Sequence, residues 1–308
     1  MGSKVVIVGS YSVGLFFIGK VIPGIGETRI ADKFFQTFGG KGSNQAVTTA
    51  KLGADVRFIC KIGTDHYADE VIELYKKYNM YSPSIMQDTE TPTSVGTIFV
   101  DEKGSNSIMI ALGANARLST AEIIHWVKQE KDPFIVGFQL ESDLGMVVES
   151  LEAVSKMGIP TLLDPAPAAK LPESVFPYIT YIKPNEHEAK VLSGIEIKTV
   201  DDAFHAGEWF IDKGVKAAII TLGEGGAVLV EKNKRQFFKA VEANPIDTTG
   251  AGDVFSGALM AAMVKGYSLD KAIQYASCAA SISITRMGVV ESIPSPEEAQ
   301  ILFDKTFG

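Results

Sequence analysis

Short apolar runs of strand length alternate with segments of helical periodicity along most of the chain. The first strand is predicted at residues 5–8 and the first helix at residues 43–52. Further strands are predicted at residues 56–60, 134–138, 161–163, 181–182 and 217–221. Further helices are predicted at residues 68–78, 121–129, 144–156, 200–213, 252–265 and 268–285, with others starting at Asn185 and after Pro296. Because strands that alternate with helices build a parallel sheet covered by helices, the pattern predicts an α/β fold.

Two stretches, residues 14–38 and 92–111, break this alternation. The first has no helical period and contains a turn at residues 23–26, and the second alternates apolar and polar positions around a turn at residues 102–104. Antiparallel strands that cannot join the main sheet must pair with each other. We therefore expect a small platform over one edge of the α/β body, with ordinary surface hairpins as the alternative.

Length and composition are typical of a packed globular chain. The 308 residues allow one or two domains, and 46% hydrophobic with 21% charged residues is close to the globular average. Because both irregular stretches look like insertions into one body, we expect a single α/β domain over residues 1–308. The inserted strands are expected at about 14–38 and 92–111.

Charge and cysteine usage limit the partners and the compartment. The chain has 29 Lys and Arg against 37 Asp and Glu, a net charge of -8, and no basic block that could bind nucleic acid. No apolar stretch approaches the roughly 18 residues of a membrane span, so no membrane partner is expected. Cys60 and Cys278 lie far apart in apolar segments, which excludes a disulfide framework and favours a cytoplasmic location.

The first glycine-rich stretch, residues 38–45, opens the first predicted helix. Its glycines let backbone N–H groups approach a polar ligand, and Asn44 offers a donor and an acceptor to hydroxyl groups. The stretch is not a Walker A loop, because Gly42 follows Lys41 where Ser or Thr is required and Phe35 stands at the first glycine position. A packing turn before a helix is the alternative.

The second glycine-rich stretch, residues 247–253, precedes an apolar helix. Consecutive small residues at a helix start direct unpaired N–H groups at one point, and with the helix dipole they suit a transferring phosphoryl group. Asp253 lies in the first turn, where the dipole favours the ionised carboxylate. Such a carboxylate can accept the proton of an alcohol that attacks phosphorus. A helix-start Asp without a catalytic role is the alternative.

Two further turns carry weaker signals. Asn185 and Glu188 have the spacing of a capping box, which by itself explains both residues. Residues 221–226 form a glycine-rich turn at a strand end, where open α/β sheets bind ligands. The motifs of other sites are missing from the sequence. The chain has no G-x-S-x-G of a serine nucleophile, no G-x-G-x-x-G of a dinucleotide site after the first strand, and no His pair four residues apart that would bind a metal.

These motifs together resemble the ribokinase family of carbohydrate kinases, also called the PfkB family. The stretch at 39–42 and the signature at 247–253 occur in the family's order and spacing, and the resemblance covers nearly the whole chain. Segments 164–168, 183–186 and 285–288 are most similar to the ribokinases within the family. The resemblance implies a three-layer α/β/α fold with a mainly parallel central sheet. The two insertions would form a small β-strand lid that closes on the sugar and excludes water.

The resemblance also implies an activity and a set of site residues. The enzyme would transfer the γ-phosphoryl group of ATP to a primary hydroxyl of a pentose-type sugar such as D-ribose, with Mg²⁺ neutralising the phosphates. Asp253 would be the general base, and the amides of Gly250, Ala251 and Gly252 the anion hole.

The implied sugar-binding residues are Ser12, Gly14, Gly40, Lys41, Gly42, Ser43, Asn44, Glu141 and Asp253. The implied nucleotide-site residues are Asn185, Glu188, Thr221, Leu222, Gly223, Glu224, Gly225, Gly226, Gly252 and Ser277. An activating K⁺ would be bound, mostly through backbone carbonyls, at Asp247, Thr249, Ser283, Arg286, Gly288 and Ser292. A homodimer through the lid is also implied.

Ser12 and Gly14 depart from the family pattern, which has an Asn at the first position and an Asp at the second to grip sugar hydroxyls. A lost charged hydrogen bond is worth about 1.5–3 kcal/mol, roughly ten- to a hundredfold in affinity. Two interpretations stay open: a ribokinase with weakened sugar recognition, and a kinase for another sugar, a polyol or a nucleoside. Rival classes are a non-catalytic sugar or nucleotide sensor, which the intact base and anion hole argue against, and a dinucleotide-dependent dehydrogenase, whose fingerprint is missing.

Overall fold

The computed structural model describes residues 4–308, and alternating strands and helices run through them. The strands are β1 (Lys4–Val8), β2 (Ser12–Ile18), β3 (Lys33–Gly39), β4 (Val56–Ile62), β5 (Ile85–Gln87), β6 (Val95–Val100), β7 (Asn106–Ala111), β8 (Pro133–Phe138), β9 (Thr161–Leu163), β10 (Tyr181–Ile182), β11 (Ala217–Thr221), β12 (Ala227–Glu231) and β13 (Lys234–Phe238). The helices are α1 (Lys41–Lys51), α2 (His66–Lys77), α3 (Thr120–Gln129), α4 (Leu144–Lys156), α5 (Glu186–Ser193), α6 (Val200–Asp212), α7 (Ala251–Val264), α8 (Leu269–Ser283) and α9 (Pro296–Phe307).

The central sheet has nine strands in the order β13-β12-β11-β10-β9-β8-β1-β4-β5. From β11 to β5 neighbouring strands are parallel, whereas β12 and β13 extend the edge as an antiparallel hairpin. The mainly parallel sheet confirms the predicted fold class. The hairpin and the short strand β5 were not predicted. The sequence Lys-Arg-Gln-Phe-Phe of β13 alternates polar and apolar side chains only weakly, which hides an edge strand.

Helices cover both faces of this sheet, so the molecule has three layers. Val5 and Ile7 of β1 belong to a core that includes residues of α1, α2, α7, α8 and α9. Val6 and Val8 of the same strand belong to the opposite core, with α3, α4, α5 and α6. A strand buried on both faces gives the continuous apolar run from which β1 was predicted. No helix within residues 4–308 has the length and apolarity that crossing a membrane requires.

A second sheet of four strands, in the order β3-β2-β6-β7, is built from the two irregular stretches. Strands β2 and β3 are antiparallel, as are β6 and β7, whereas β2 pairs with β6 in parallel through Val13–Val95 to Ile18–Val100. The expectation of purely antiparallel strands was therefore incomplete. Strands β2 and β6 are the first strands of the two hairpins, and both leave the α/β body in the same direction. They lie side by side and therefore pair in parallel.

Candidate active site

The loop after β1 and the start of α1 lie in direct backbone contact. Gly40 has φ 86°, a left-handed conformation that favours glycine. The Ser43 N–H donates to the Ser10 carbonyl at 2.8 Å. A Cβ on Gly42 would lie 2.6 Å from the Ser10 nitrogen, so only glycine fits this crossing. The first glycine-rich stretch thus brings the start of α1 to the carboxyl end of the central sheet.

Glu141, which follows β8, joins the two sides of this crossing. Its Oε2 accepts hydrogen bonds from the Ser10 hydroxyl and from the Lys41 N–H, both at 2.8 Å. Gly40, Lys41 and Glu141, all predicted as sugar-binding residues, therefore lie together.

Ser43, by contrast, is fully buried, and its hydroxyl accepts a hydrogen bond from the Tyr75 hydroxyl at 2.8 Å. Its side chain thus points into the core toward α2, and its predicted place in the sugar site stays a prediction.

The second glycine-rich stretch forms the N-terminus of α7. Gly250 is the N-cap with φ 75°, and the helix begins at Ala251. The Ala251 N–H donates to the Thr248 carbonyl at 3.2 Å, which closes the turn. Gly252 and Asp253 occupy the next two positions, where N–H groups have no intrahelical acceptor. Among the amides predicted to form the anion hole, that of Ala251 is used within the turn, whereas that of Gly252 has no intrahelical acceptor. The anion hole of Gly250, Ala251 and Gly252 stays a prediction.

Asp253 is 5% exposed and faces the start of α1. Its Oδ2 accepts a hydrogen bond from the Asn44 side-chain amide at 2.8 Å, and the Gln45 amide lies 3.4 Å from its Oδ1. Burial raises the pKa of Asp253 to about 6, while the positive charge of Lys41 opposes the shift and the charge of Asp164 adds to it. Burial thus raises the affinity of the Asp253 carboxylate for a proton.

Lys41 places a positive charge among several carboxylates near the start of α7. Its pKa is raised, with Asp253 as the largest cause and with further contributions from Glu141, Asp164 and Glu188, while burial acts in the opposite direction. This distribution of negative charge around Lys41 keeps its ammonium group protonated.

A buried polar network underlies Asp253, and its members were not predicted as site residues. Asp164 and Lys183 form an ion pair of 2.8 Å, and both side chains are almost fully buried. The Asp164 Oδ2 also accepts hydrogen bonds from Gln45 at 2.9 Å and Ser256 at 2.8 Å. The Lys183 ammonium donates to the Gly252 carbonyl at 3.2 Å. The available signal was position, since Asp164 and Lys183 directly follow β9 and β10 at the edge where parallel sheets bind ligands.

Of the predicted nucleotide-site residues, Asn185, Glu188 and residues 221–226 lie at or just after the ends of β10 and β11. Asn185 and Thr221 form a parallel bridge, and the Thr221 N–H donates to the Pro184 carbonyl at 3.0 Å. Asn185 and Glu188 make the predicted capping box, with hydrogen bonds of 2.8 Å in each direction. Burial raises the pKa of Glu188. Residues 222–226 form a tight turn in which the Leu222 N–H donates to the Gly226 carbonyl at 2.8 Å.

Ser277 lies in the interior of α8. Its hydroxyl donates to the Ile273 carbonyl at 2.9 Å, within the helix. The side chain thus has an intrahelical role in this structure, and its predicted place in the nucleotide site stays a prediction.

Two loops meet around the Asp247 carboxylate, at the predicted cation site. Asp247 accepts hydrogen bonds from the Thr249 N–H at 3.0 Å and the Gly288 N–H at 3.1 Å. The hydroxyls of Ser283 and Ser292 each donate to a backbone carbonyl three residues earlier. The Arg286 guanidinium pairs with Glu298 instead of Asp247. Asp247 is thus the one carboxylate among the predicted cation-site residues, and the backbone carbonyls and hydroxyl oxygens of the others are neutral.

Ser12 and Gly14 lie on β2, on the face of the second sheet opposite to Val13 and Leu15. Val13 and Leu15 pack against the core on the α2 side, so Ser12 and Gly14 face away from it. The Ser12 hydroxyl accepts a hydrogen bond from Ser94 at 3.1 Å. A Cβ on Gly14 would lie 3.0 Å from the Thr37 hydroxyl, a contact with a side chain that can move.

Comparisons with known proteins show what the whole chain is similar to. The model of the pfkB family carbohydrate kinases matches residues 3–296. The chain is 36% identical to a ribokinase of Staphylococcus aureus over 300 residues, covering 97% of this chain and 99% of the relative. It is 34% identical to a deoxyribokinase of Salmonella typhi over 295 residues, covering 96% of each. A solved structure of Arabidopsis thaliana ribokinase, complexed with ribose and ATP, superposes with a TM-score of 0.92 at 28% identity over 100% of both chains.

Proposed function

The chain belongs to the pfkB family of carbohydrate kinases, and we propose that it transfers the γ-phosphoryl group of ATP to a primary hydroxyl of a pentose-type sugar. The observation that carries this proposal is Asp253, a buried carboxylate with a pKa raised to about 6 in the first turn of α7, beside amides that have no intrahelical acceptor. A base and an anion hole that share one helix turn suit the attack of an alcohol on phosphorus.

Asp253 takes the proton of the attacking hydroxyl as its oxygen bonds to phosphorus. Because the transition state of phosphoryl transfer is loose, positioning and charge stabilisation matter more than base strength. Asn44 holds the base through its amide and presents its side-chain oxygen, a buried acceptor with no donor among residues 4–308. A sugar hydroxyl is a suitable donor for that oxygen, since buried polar atoms are rarely left unpaired.

The nucleotide would lie between the turn at 222–226 and the first turn of α7. The residues fit a triphosphate, because free amides lie at the helix start and the ammonium groups of Lys41 and Lys183 lie beside it. Asn185 and Glu188 offer amide and carboxylate oxygens, the ligands that suit Mg²⁺. When bound, Mg²⁺ neutralises phosphate charge.

An activating K⁺ is proposed at the Asp247 loops. The support is the convergence of residues 247–249 with residues 284–288, where the Asp247 N–H donates to the Ile284 carbonyl at 3.1 Å. Carbonyl oxygens together with one carboxylate suit a weakly charged cation.

The formation of ADP in the presence of different acceptors tests the proposed function. The protein is incubated with ATP and Mg²⁺, with and without K⁺, against a panel of pentoses, deoxypentoses, hexoses, polyols and nucleosides. We expect ADP release with a pentose-type acceptor, and faster release when K⁺ is present. Silence across the panel, with ATP still bound, would favour a sensor of sugars or nucleotides.

The pH dependence of kcat/KM should follow the protonation of Asp253. Because the base must be ionised and its pKa is raised to about 6, kcat/KM should be level above pH 6. Below that value it should fall about tenfold per pH unit, as protonation removes the base. Steady-state kinetics between pH 5 and 8 checks this; a flat profile down to pH 5 would contradict the assignment of Asp253 as base.

The sugar preference should depend on Gly14. Gly14→Asp adds an anionic acceptor on the face of β2 that is turned away from the core, and Thr37 and Phe16 need move only a few tenths of an ångström to admit its Cβ. We expect kcat/KM for D-ribose to rise about ten- to a hundredfold. Gly14→Asn is the matched control, since it adds similar volume without the charge. An equal or absent gain in Gly14→Asp would show that another residue sets the preference.

The second sheet is proposed to be a lid on a single domain of residues 1–308, and its exposed apolar side chains are proposed to pair two chains. Phe34, Ile108, Met109 and Ile110 are all more than 45% exposed. Apolar side chains grouped on a small sheet with open edges favour burial against a second copy. A cytoplasmic location is also proposed, because both cysteines are free and buried.

The oligomeric state should respond to Ile108. Ile108→Glu places a charge in the proposed interface, so we expect sedimentation at the mass of one chain, whereas the unaltered protein sediments at twice that mass. Ile301→Glu is the matched control, because Ile301 is also exposed but lies on α9, outside the second sheet. Dissociation by both variants, or by neither, would exclude the lid as the interface.

A further inference from the structure

The ion pair of Lys183 with Asp164 is buried directly against the first turn of α7. Lys183 is 3% exposed and Asp164 is 1% exposed, and the two charged atoms are 2.8 Å apart. A buried ion pair seldom stabilises a fold more than apolar side chains of the same volume would. Its position at the end of two adjacent strands, β9 and β10, therefore calls for a role other than stability.

The hydrogen bonds of the Lys183 ammonium leave one of its N–H groups without an acceptor among residues 4–308. One N–H points to Asp164 and a second donates to the Gly252 carbonyl at 3.2 Å. A lysine ammonium has three donors. A Cβ on Gly252 would lie 3.4 Å from the Lys183 nitrogen, so this nitrogen borders the residue that supplies an anion-hole amide.

We propose that Lys183 is a further catalytic residue, whose third N–H donates to the transferring phosphoryl group, and that Asp164 is a positioning residue that fixes the ammonium. This rests on the proposed kinase function. In the step, the sugar oxygen bonds to phosphorus and its proton goes to Asp253, while the bond from phosphorus to the leaving oxygen of ADP breaks. Lys183 gives a hydrogen bond and keeps its proton.

The hydrogen bonds around Asp164 favour a role in positioning Lys183 over a role limited to neutralising the charge of Lys183. Its Oδ2 accepts from Gln45 and Ser256 as well as from Lys183, so the carboxylate has neutral donors that also stabilise it. Gln45 is itself held by Gln139 at 2.7 Å. The Oδ2 atom of Asp164 is thus fixed by three donors, whereas Oδ1 is buried without a donor among residues 4–308. The ammonium that Oδ2 holds is in place before the reaction, and preorganised charges stabilise a transition state strongly.

A double variant separates catalysis from charge balance. Lys183→Met leaves Asp164 buried and unpaired, and should lower both stability and turnover. Lys183→Met with Asp164→Asn removes both charges at nearly unchanged volume, so its melting temperature should return close to that of the unaltered protein. Its kcat should stay about a hundred- to a thousandfold low, the loss typical of one oxyanion donor. Recovery of kcat to within about threefold would overturn the proposal.

A readout without sugar keeps this test independent of the proposed function. ADP with aluminium fluoride, which imitates the transferring phosphoryl group, should raise the melting temperature of the unaltered protein beyond ADP alone. The double variant should lose this extra rise; an equal rise would overturn the role of Lys183. The matched control removes both charges of the exposed pair Lys213 and Glu173, as Lys213→Met with Glu173→Gln, and should change neither readout. If ADP with aluminium fluoride raises the melting temperature of the unaltered protein but the protein phosphorylates no acceptor, the proposed function is wrong. The melting temperature of the double variant then still tests whether Lys183 binds the phosphoryl group.

Discussion

Asp253→Asn is expected to lower kcat about a thousandfold or more, with the dissociation constant for ATP within about threefold of the unaltered value. The amide cannot accept the proton of the attacking hydroxyl, and general-base catalysis contributes roughly a hundred- to ten-thousandfold. The backbone amides of Gly252 and Asp253 stay in place, so the phosphate site is unchanged. Initial rates together with calorimetric titration of ATP check the two quantities separately.

Stability distinguishes this loss from misfolding. The folded-state pKa of Asp253 is raised from 3.8 to about 6, so above pH 6 the ionised carboxylate opposes folding. Asp253→Asn should therefore melt at an equal or higher temperature at pH 7, and this gain should shrink as the pH falls toward 4. Asp270→Asn is the matched control, since Asp270 also lies in the first turn of a helix but outside the site. Retained turnover in Asp253→Asn would remove Asp253 from the role of base.

Gly42→Ala is expected to damage both the fold and the site. The added Cβ would lie 2.6–2.7 Å from backbone atoms of Gly9 and Ser10, which cannot rotate away, so the start of α1 must shift. Overpacking of this kind costs about 1–3 kcal/mol of unfolding free energy. Because Asn44 and Lys41 move with the helix, kcat/KM should fall about a hundredfold, as displacements near 1 Å do. Urea unfolding and steady-state kinetics measure the two effects.

Gly145→Ala is the matched control for Gly42→Ala. Gly145 also lies in a helix, but its Cβ would meet only the Asp143 carboxylate, at 3.2 Å. Alanine is favoured over glycine in helices by up to about 1 kcal/mol, so this variant should be neutral or slightly stabilised. Equal effects of the two substitutions would show that the close crossing at Gly42 is unimportant.

The features that depend on local pattern could be predicted from the sequence. The alternation of apolar runs and helical periods indicated the α/β body, and Asp253 followed from a run of small residues before an apolar helix. Asn185 and Glu188 were predicted as a capping box and form one. In each case the residues that decide the structure are neighbours in sequence.

The features that depend on distant residues could not be predicted in the same way. The ion pair of Asp164 and Lys183 depends on β9 and β10 being adjacent, and the burial of Ser43 depends on Tyr75 from α2. The parallel pairing of β2 with β6 joins two stretches about 80 residues apart in the chain. Such partners follow from topology, which local periodicity does not encode.

Transfer of the phosphoryl group itself is the most direct test of the central claim. The protein is supplied with ATP labelled in the γ-phosphoryl group, Mg²⁺, K⁺ and its best acceptor, and the products are separated and assigned by phosphorus NMR. We predict a sugar phosphate esterified at a primary hydroxyl, carrying the label in an amount equal to the ADP formed. Label found only in inorganic phosphate would contradict the account, because water rather than a sugar would then be the group that Asp253 activates.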